Sequence, residues 1–398
     1  TNPLRDPTDA AFAPDGSLWV TGGASDNLFR VAPDGTVVQV LDASGSGGVA
    51  FEDPQELAVG PDGDVLVATE TALLRIFPDG TVQHLFDGSQ PRVVWGEPKG
   101  IGFDALGNAY GIGVGRTAYR FAPDGTQTIL IDWRGDGTNP LKDPSDLAVL
   151  PDGTVFVSGE GGDDVFRIEP GGSISRITDA RMAGPIDMAF GPDGTLYIAC
   201  RASWNVMGLT PTGDVFERAD FGSSLQPQQI AIDGDGDVYV GTGSLGGRIA
   251  WVRPFGALVT VVDVSDGGLG LSAAGLTHLT VDDAGDVYVP GLLANALFRV
   301  DVPPECSDGI DNDQDGLVDH PDDPGCRDPD WWEDPACDDD VDNDGDGRVD
   351  WDGGALGFPP DPTCNGAWEP TERSGCGLGG ELALLLPILA RLRRRIRP

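Results

Sequence analysis

The sequence predicts an all-β fold, a seven-bladed β-propeller, on three observations: a repeat of blade length, four short apolar runs in each repeat, and turn chemistry between the runs. The repeat is plain. Asp6-Pro-Thr-Asp-Ala-Ala-Phe-Ala-Pro-Asp-Gly-Ser-Leu-Trp-Val returns as Asp143-Pro-Ser-Asp-Leu-Ala-Val-Leu-Pro-Asp-Gly-Thr-Val-Phe-Val, and related units start near Asp53, Glu97, Gly184, Gln226 and Gly275. The residue before each first apolar run is Asp9, Glu56, Gly100, Asp146, Asp187, Gln229 or His278, and these markers lie 41 to 49 residues apart. That is the period of propeller blades.

One unit shows why the runs read as strands. Asp146–Leu150 is apolar and ends in Pro151-Asp152-Gly153, where proline presets one turn dihedral and glycine supplies a positive φ. Thr154–Ser158 follows, β-branched and apolar, then Asp164–Glu169, a second turn at Pro170-Gly171-Gly172, and Ser173–Thr178. Four antiparallel strands make one blade. The 59 glycines and 32 prolines fit such turns, and no unit carries an apolar period long enough for a helix. The seventh unit has three runs only, His278–Asp282, Asp286–Pro290 and Ala296–Val300. Thr1-Asn-Pro-Leu-Arg-Asp-Pro7 repeats Thr138-Asn-Pro-Leu-Lys-Asp-Pro144, a stretch that follows a fourth strand. The expectation is therefore that a preceding strand and a signal peptide lie upstream, the strand closing blade seven; the alternative is an incomplete last blade.

Charge separates the chain into regions. The net charge is −40, which repels nucleic-acid phosphates and attracts divalent cations, so nucleic-acid binding is excluded. Acidic residues crowd between Asp301 and Glu372, and five of the six cysteines follow residue 305. The domain reading is 1–302 propeller, 303–373 acidic modules, and 374–398 a C-terminal signal.

The blades, with their Pro-Asp-Gly turns and Phe-Arg-Val/Ile runs, resemble NHL-type repeats and, more loosely, the streptogramin lyase and gluconolactonase propellers, over residues 1–302. The resemblance implies the fold more firmly than an activity, because propellers host many functions. The seven markers are expected at the channel mouth, where Asp9, Glu56, Asp146, Asp187, Gln229 and His278 could hold a cation or a polar ligand. The alternative is that the acids bind neighbouring backbone amides. Gluconolactonase-like propellers carry Asn one residue after the proline; here that place holds Thr8, Gln55, Lys99, Ser145, Ile186, Gln228 and Thr277. His278 lies one residue later than the mouth histidine of streptogramin lyases, and the other histidines are His84 and His320. A non-catalytic binding propeller is the leading expectation, its ligand a small molecule, carbohydrate or protein. A metal-dependent lyase or lactone hydrolase is the alternative.

Two modules follow, each with cysteine at both ends and Asp-x-Asp-x-Asp-Gly-x-x-Asp inside. Calcium takes six to eight oxygens, and alternate residues of a tight loop can point inward together. The first set is Asp311, Asp313, Asp315, the Leu317 carbonyl, Asp319 and Asp322; the second is Asp342, Asp344, Asp346, the Arg348 carbonyl and Asp350. Gly353 stands where the second loop would place its last carboxylate. The loops resemble calcium loops of the EF-hand, dockerin and thrombospondin types, without an EF-hand's flanking helices, and Ca2+ is the expected cofactor. Cysteine arithmetic favours Cys306–Cys326 and Cys337–Cys364, among three possible pairings, and an oxidising compartment.

The apolar stretch Leu382–Ala390 is too short to span a ~30 Å hydrocarbon core and runs into five arginines. This end is similar to myxobacterial C-terminal sorting signals. The resemblance implies export, cleavage near Cys376, anchoring at the cell surface and contact with sorting machinery in the envelope.

Overall fold

The computed structural model describes residues 4–300, except 48–49, 87–97, 114, 223–224, 235, 244–247, 253–257, 264–277, 283–284 and 292–294. Beyond them it describes 306, 317–318, 320–326, 348, 359–360 and 364. The chain divides into two compact units, 1–302 and 303–398.

The first unit is a β-propeller with seven antiparallel sheets in sequence order. Blade 1 is Pro7–Phe12, Leu18–Gly22, Asn27–Val31 and Val37–Leu41; blade 4 is Pro144–Val149, Val155–Gly159, Asp164–Ile168 and Ile174–Ile177. Blades 2, 3, 5 and 6 repeat this order from Pro54, Pro98, Pro185 and Pro227. Blade 7 has three strands among the described residues, Thr280–Val281, Val287–Gly291 and Ala296–Val300. In the first unit the helical content of the described residues is a 3-10 turn, Glu160–Gly162.

The second strand of each blade lies between two others, so its apolar run is buried on both faces. Leu18–Gly22, Val65–Thr69 and Val155–Gly159 are buried throughout. Core side chains then pack between blades, as Phe166 and Ile168 of blade 4 do with Tyr110 and Ile112 of blade 3. The first strands contact one another around the ring and blade 7 returns to blade 1. There Phe12 meets Tyr288 edge to face at 5.0 Å, and the Asp6 N–H donates to Asn295 Oδ1 at 3.1 Å. Cys200 is a buried free thiol in blade 5, its pKa pushed up to about 12 by burial.

In the second unit Cys306 and Cys326 form the expected disulfide. Cys364 is disulfide-bonded, and the expected partner Cys337 lies outside the described residues. So do Asp311, Asp313, Asp315, Asp319, Asp342, Asp344, Asp346 and Asp350 of the expected calcium loops, and Cys376 with the rest of the C-terminal signal. Leu317 and Asp322 are exposed. Arg348 is exposed, and its Nη1 donates to the Pro360 carbonyl at 3.2 Å. Asp323, which the spacing did not single out, is buried, and its Oδ1 accepts the Gly325 N–H at 2.6 Å.

Candidate functional site at the channel mouth

The first strands of blades 1 to 6 start at a proline, and a shift of register directly after it re-aims the marker residue. The shift falls between Pro7 and Ala10, Pro54 and Glu56, Pro144 and Leu147, Pro185 and Asp187, and Pro227 and Gln229. An extra residue at a strand end turns a side chain that regular pleating would send elsewhere. The residue before the proline is left-handed in four blades, Asp6, Asp53, Asp143 and Gly184, a conformation that aspartate and glycine tolerate.

The re-aimed aspartates bridge blades. Asp9 Oδ1 accepts the Ala10 N–H at 2.6 Å and Oδ2 accepts the Leu57 N–H of blade 2 at 2.6 Å. Asp146 binds Leu147 of its own blade at 2.6 Å and Met188 of blade 5 at 2.8 Å. Asp187 binds Met188 at 3.0 Å and Ile230 of blade 6 at 2.7 Å. These three carboxylates are thus bonded to backbone amides, one within the blade and one across the seam. Gly100 takes the marker place in blade 3 for a steric reason. A Cβ there would lie 2.4 Å from the Leu147 nitrogen and 2.7 Å from Asp146 Oδ1.

Glu56, Gln229 and His278 are left over from this stapling. One ligand atom from each of Asp9, Glu56 and His278 lies within 4.8 Å of the others, and His278 Nε2 is 3.3 Å from Asp9 Oδ1. Gln229 Oε1 is buried without a hydrogen-bond partner among the described residues. His84 lies on the outer strand of blade 2, so within the first unit His278 is the histidine at the mouth.

The hub is electrostatically strained. Burial, then Asp9, raises the Glu56 pKa to about 8. Burial holds Asp9 above the usual carboxylate range, although His278 and the Leu57 and Ala10 amides pull it back. Asp146 is raised by burial and by Asp187, and Asp187 is raised by burial. For His278, burial would lower the pKa, but Asp9, Glu56 and Asp187 outweigh it and hold the ring above its usual value. The mouth therefore gathers acceptors and negative charge, an environment that a cation relieves.

No protein-family model matches the sequence, and no curated protein matches it. Solved structures do match. In fold the chain is similar to the streptogramin lyase propellers. A streptogramin B lyase aligns with TM-score 0.60 and 16% identity over 73% of this chain and 92% of that one. A catalytically inactive histidine-to-alanine virginiamycin B lyase from Staphylococcus aureus, with quinupristin, gives TM-score 0.60 and 16% identity over 75% and 94%. The extracellular domain of a putative one component system from B. thetaiotaomicron gives TM-score 0.56 and 12% identity over 77% of this chain and 40% of that chain. At these identities the likeness is one of fold.

Proposed function

We propose that the protein is an exported binding propeller whose ligand docks at the channel mouth on a divalent cation held by Asp9, Glu56 and His278. The observation that carries this reading is the convergence of their three ligand atoms within 4.8 Å. Two carboxylates and an imidazole suit a small divalent ion such as Mn2+ or Zn2+, and its charge would offset the cost of keeping Glu56 ionised in the hub. Gln229 Oε1 offers an acceptor that an N–H or O–H of the ligand would satisfy. The ligand itself is a small molecule, carbohydrate or protein. The second unit is the stalk, its two acidic loops binding Ca2+ and its C-terminus carrying the surface-sorting signal. The Cys306–Cys326 disulfide supports export, because such bonds persist in oxidising compartments.

The test is Mn2+ binding by the full chain, followed by electron paramagnetic resonance with Ca2+ in excess to fill the tail. One Mn2+ is expected to remain bound, with affinity reduced at least about tenfold in His278→Ala and Glu56→Gln. Unchanged Mn2+ binding in both variants would overturn the mouth site. A second reading, a lyase, is favoured by His278 standing beside two carboxylates in a propeller similar in fold to a lyase that a histidine-to-alanine change inactivates. Turnover of quinupristin that His278→Ala abolishes would replace binding with catalysis; its absence in wild type leaves the binding reading in place.

A further inference from the structure

In five blades the loop between the second and third strands carries a left-handed residue other than glycine, and in one of them it is a tryptophan. Asp26, Arg116, Asp163, Trp204 and Asn295 have φ of 50°, 54°, 52°, 64° and 52°. Four of these side chains latch the next blade. Asp26 Oδ1 accepts the Asp53 N–H at 2.8 Å, Asp163 Oδ1 the Gly184 N–H at 2.8 Å, and Asn295 Oδ1 the Asp6 N–H at 3.1 Å. Arg116 Nη2 donates to Asp143 Oδ1 at 2.8 Å. Every partner is the residue just before the proline that opens the next blade's first strand, so each latch reaches over the seam to the innermost strand. Aspartate and asparagine tolerate a left-handed backbone. A tryptophan there gains no latch, and a bulky residue at positive φ is an outlier.

The surroundings hold Trp204 in that state. Its N–H donates to the Cys200 carbonyl at 3.0 Å, and its carbonyl accepts the Phe221 N–H at 2.8 Å. The Arg201 N–H donates to the Gly184 carbonyl at 2.9 Å, and the Ala202 and Ser203 N–H groups donate to the Ala183 carbonyl at 3.0 and 3.1 Å. The indole is only half-buried and makes no ring contact or side-chain hydrogen bond among the described residues. Strained residues persist where the structure over-determines them, and they cluster at ligand clamps. The latch pattern puts position 204 beside Gln226, whose carbonyl accepts the Gly243 N–H as the Asp6 carbonyl accepts that of Gly23. Gln226 precedes the strand Pro227–Ile232, which carries Gln229 and its unpartnered buried Oε1 at the mouth.

We propose that the mouth ligand is a neutral saccharide, one pyranose face stacked on Trp204 and a hydroxyl donated to Gln229 Oε1. This rests on reading the mouth as a binding site and narrows what binds there. Carboxylates and an amide oxygen only accept, so the ligand must bring donors. Hydroxyls do so without the negative charge that a chain of net charge −40 repels. Adjacent hydroxyls can also take the open positions of a cation held by three protein ligands. A rigid indole offers a large contact area at low entropic cost.

Cellobiose and maltose are the probes, titrated by calorimetry into the full chain with Mn2+ and excess Ca2+ present. One of the two is expected to bind with a Kd of about 1 mM or tighter. Trp204→Ala is expected to weaken it at least about tenfold, and Trp204→Phe, which keeps a ring, by less. The fully O-methylated disaccharide keeps its rings but has no donor, and is expected not to bind. Trp204→Asn copies the latch of blade 7 and relieves the backbone. It is expected to lose the sugar and to raise the melting temperature by about 2 °C. Mn2+ binding is read in the same samples by electron paramagnetic resonance. No sugar bound at about 10 mM while Mn2+ binds would overturn the saccharide and leave the mouth cation standing; loss of both would overturn the two readings together. Equal affinity in Trp204→Ala, equal binding of the methylated sugar, or a lower melting temperature in Trp204→Asn would each overturn the role of Trp204.

Discussion

Aspartates at the hub and aspartates in the turns at the far ends of the blades are the same residue under opposite electrostatics. In the turns Asp34, Asp79 and Asp124 accept the N–H of Thr36, Thr81 and Thr126 at 2.8 to 2.9 Å, in open solvent. Those amides hold each carboxyl below its usual range. At the hub Asp9, Asp146 and Asp187 accept two amides each, and burial still pushes them upward. The hydrogen bonds are alike in kind, so water decides the sign. A turn carboxylate keeps its hydration, whereas a hub carboxylate loses it and faces its own copies. Negative charge in the turns is therefore local turn chemistry. At the hub it staples the seams between blades.

The sharpest challenge to that contrast comes from Asp64, a turn-end acid that is itself buried against Arg75. Asp64→Ala leaves a buried guanidinium without its partner, and urea unfolding is expected to show a loss of about 3–5 kcal/mol. If the loss were negligible, burial would not be the deciding variable. Asp146→Ala strands the Leu147 amide and leaves the Met188 amide across the seam to Asp187 alone, with an expected loss of about 1–3 kcal/mol. Asp34→Ala, measured beside it, is expected to leave the melting temperature unchanged. Gly100→Ala presses a methyl group onto the Leu147 nitrogen and is expected to cost about 1–3 kcal/mol by the same assay.

The smallest effect has the opposite direction. Glu56 releases its proton at its ordinary value of 4.5 when unfolded and at about 8 when folded. Between those values the native state holds the extra proton, so this residue's contribution to stability falls as pH rises through the window. Glu56→Gln is expected to raise the melting temperature at pH above 8 by on the order of 2 °C and to leave it unchanged near pH 4. The same variant is expected to lose the mouth cation, separating stability from binding.

Much of this molecule is legible in its sequence. Seven units, five of them with a Pro-Asp-Gly turn, fix where strands begin and end, because proline and glycine constrain dihedrals locally. The seven markers were found by position alone, and the amide-binding alternative anticipated the stapling of Asp9, Asp146 and Asp187. The spacing of cysteines gave Cys306–Cys326. The sequence could not sort the markers by role. Stapling depends on a register shift after the proline and on which amide of the next blade comes within reach, and both are properties of neighbours more than 40 residues away. Local dihedral preference and apolar alternation thus determine the blades from the chain itself. Tertiary structure alone decides which carboxylates lose their water, because desolvation is set by what packs around a group and not by what precedes it.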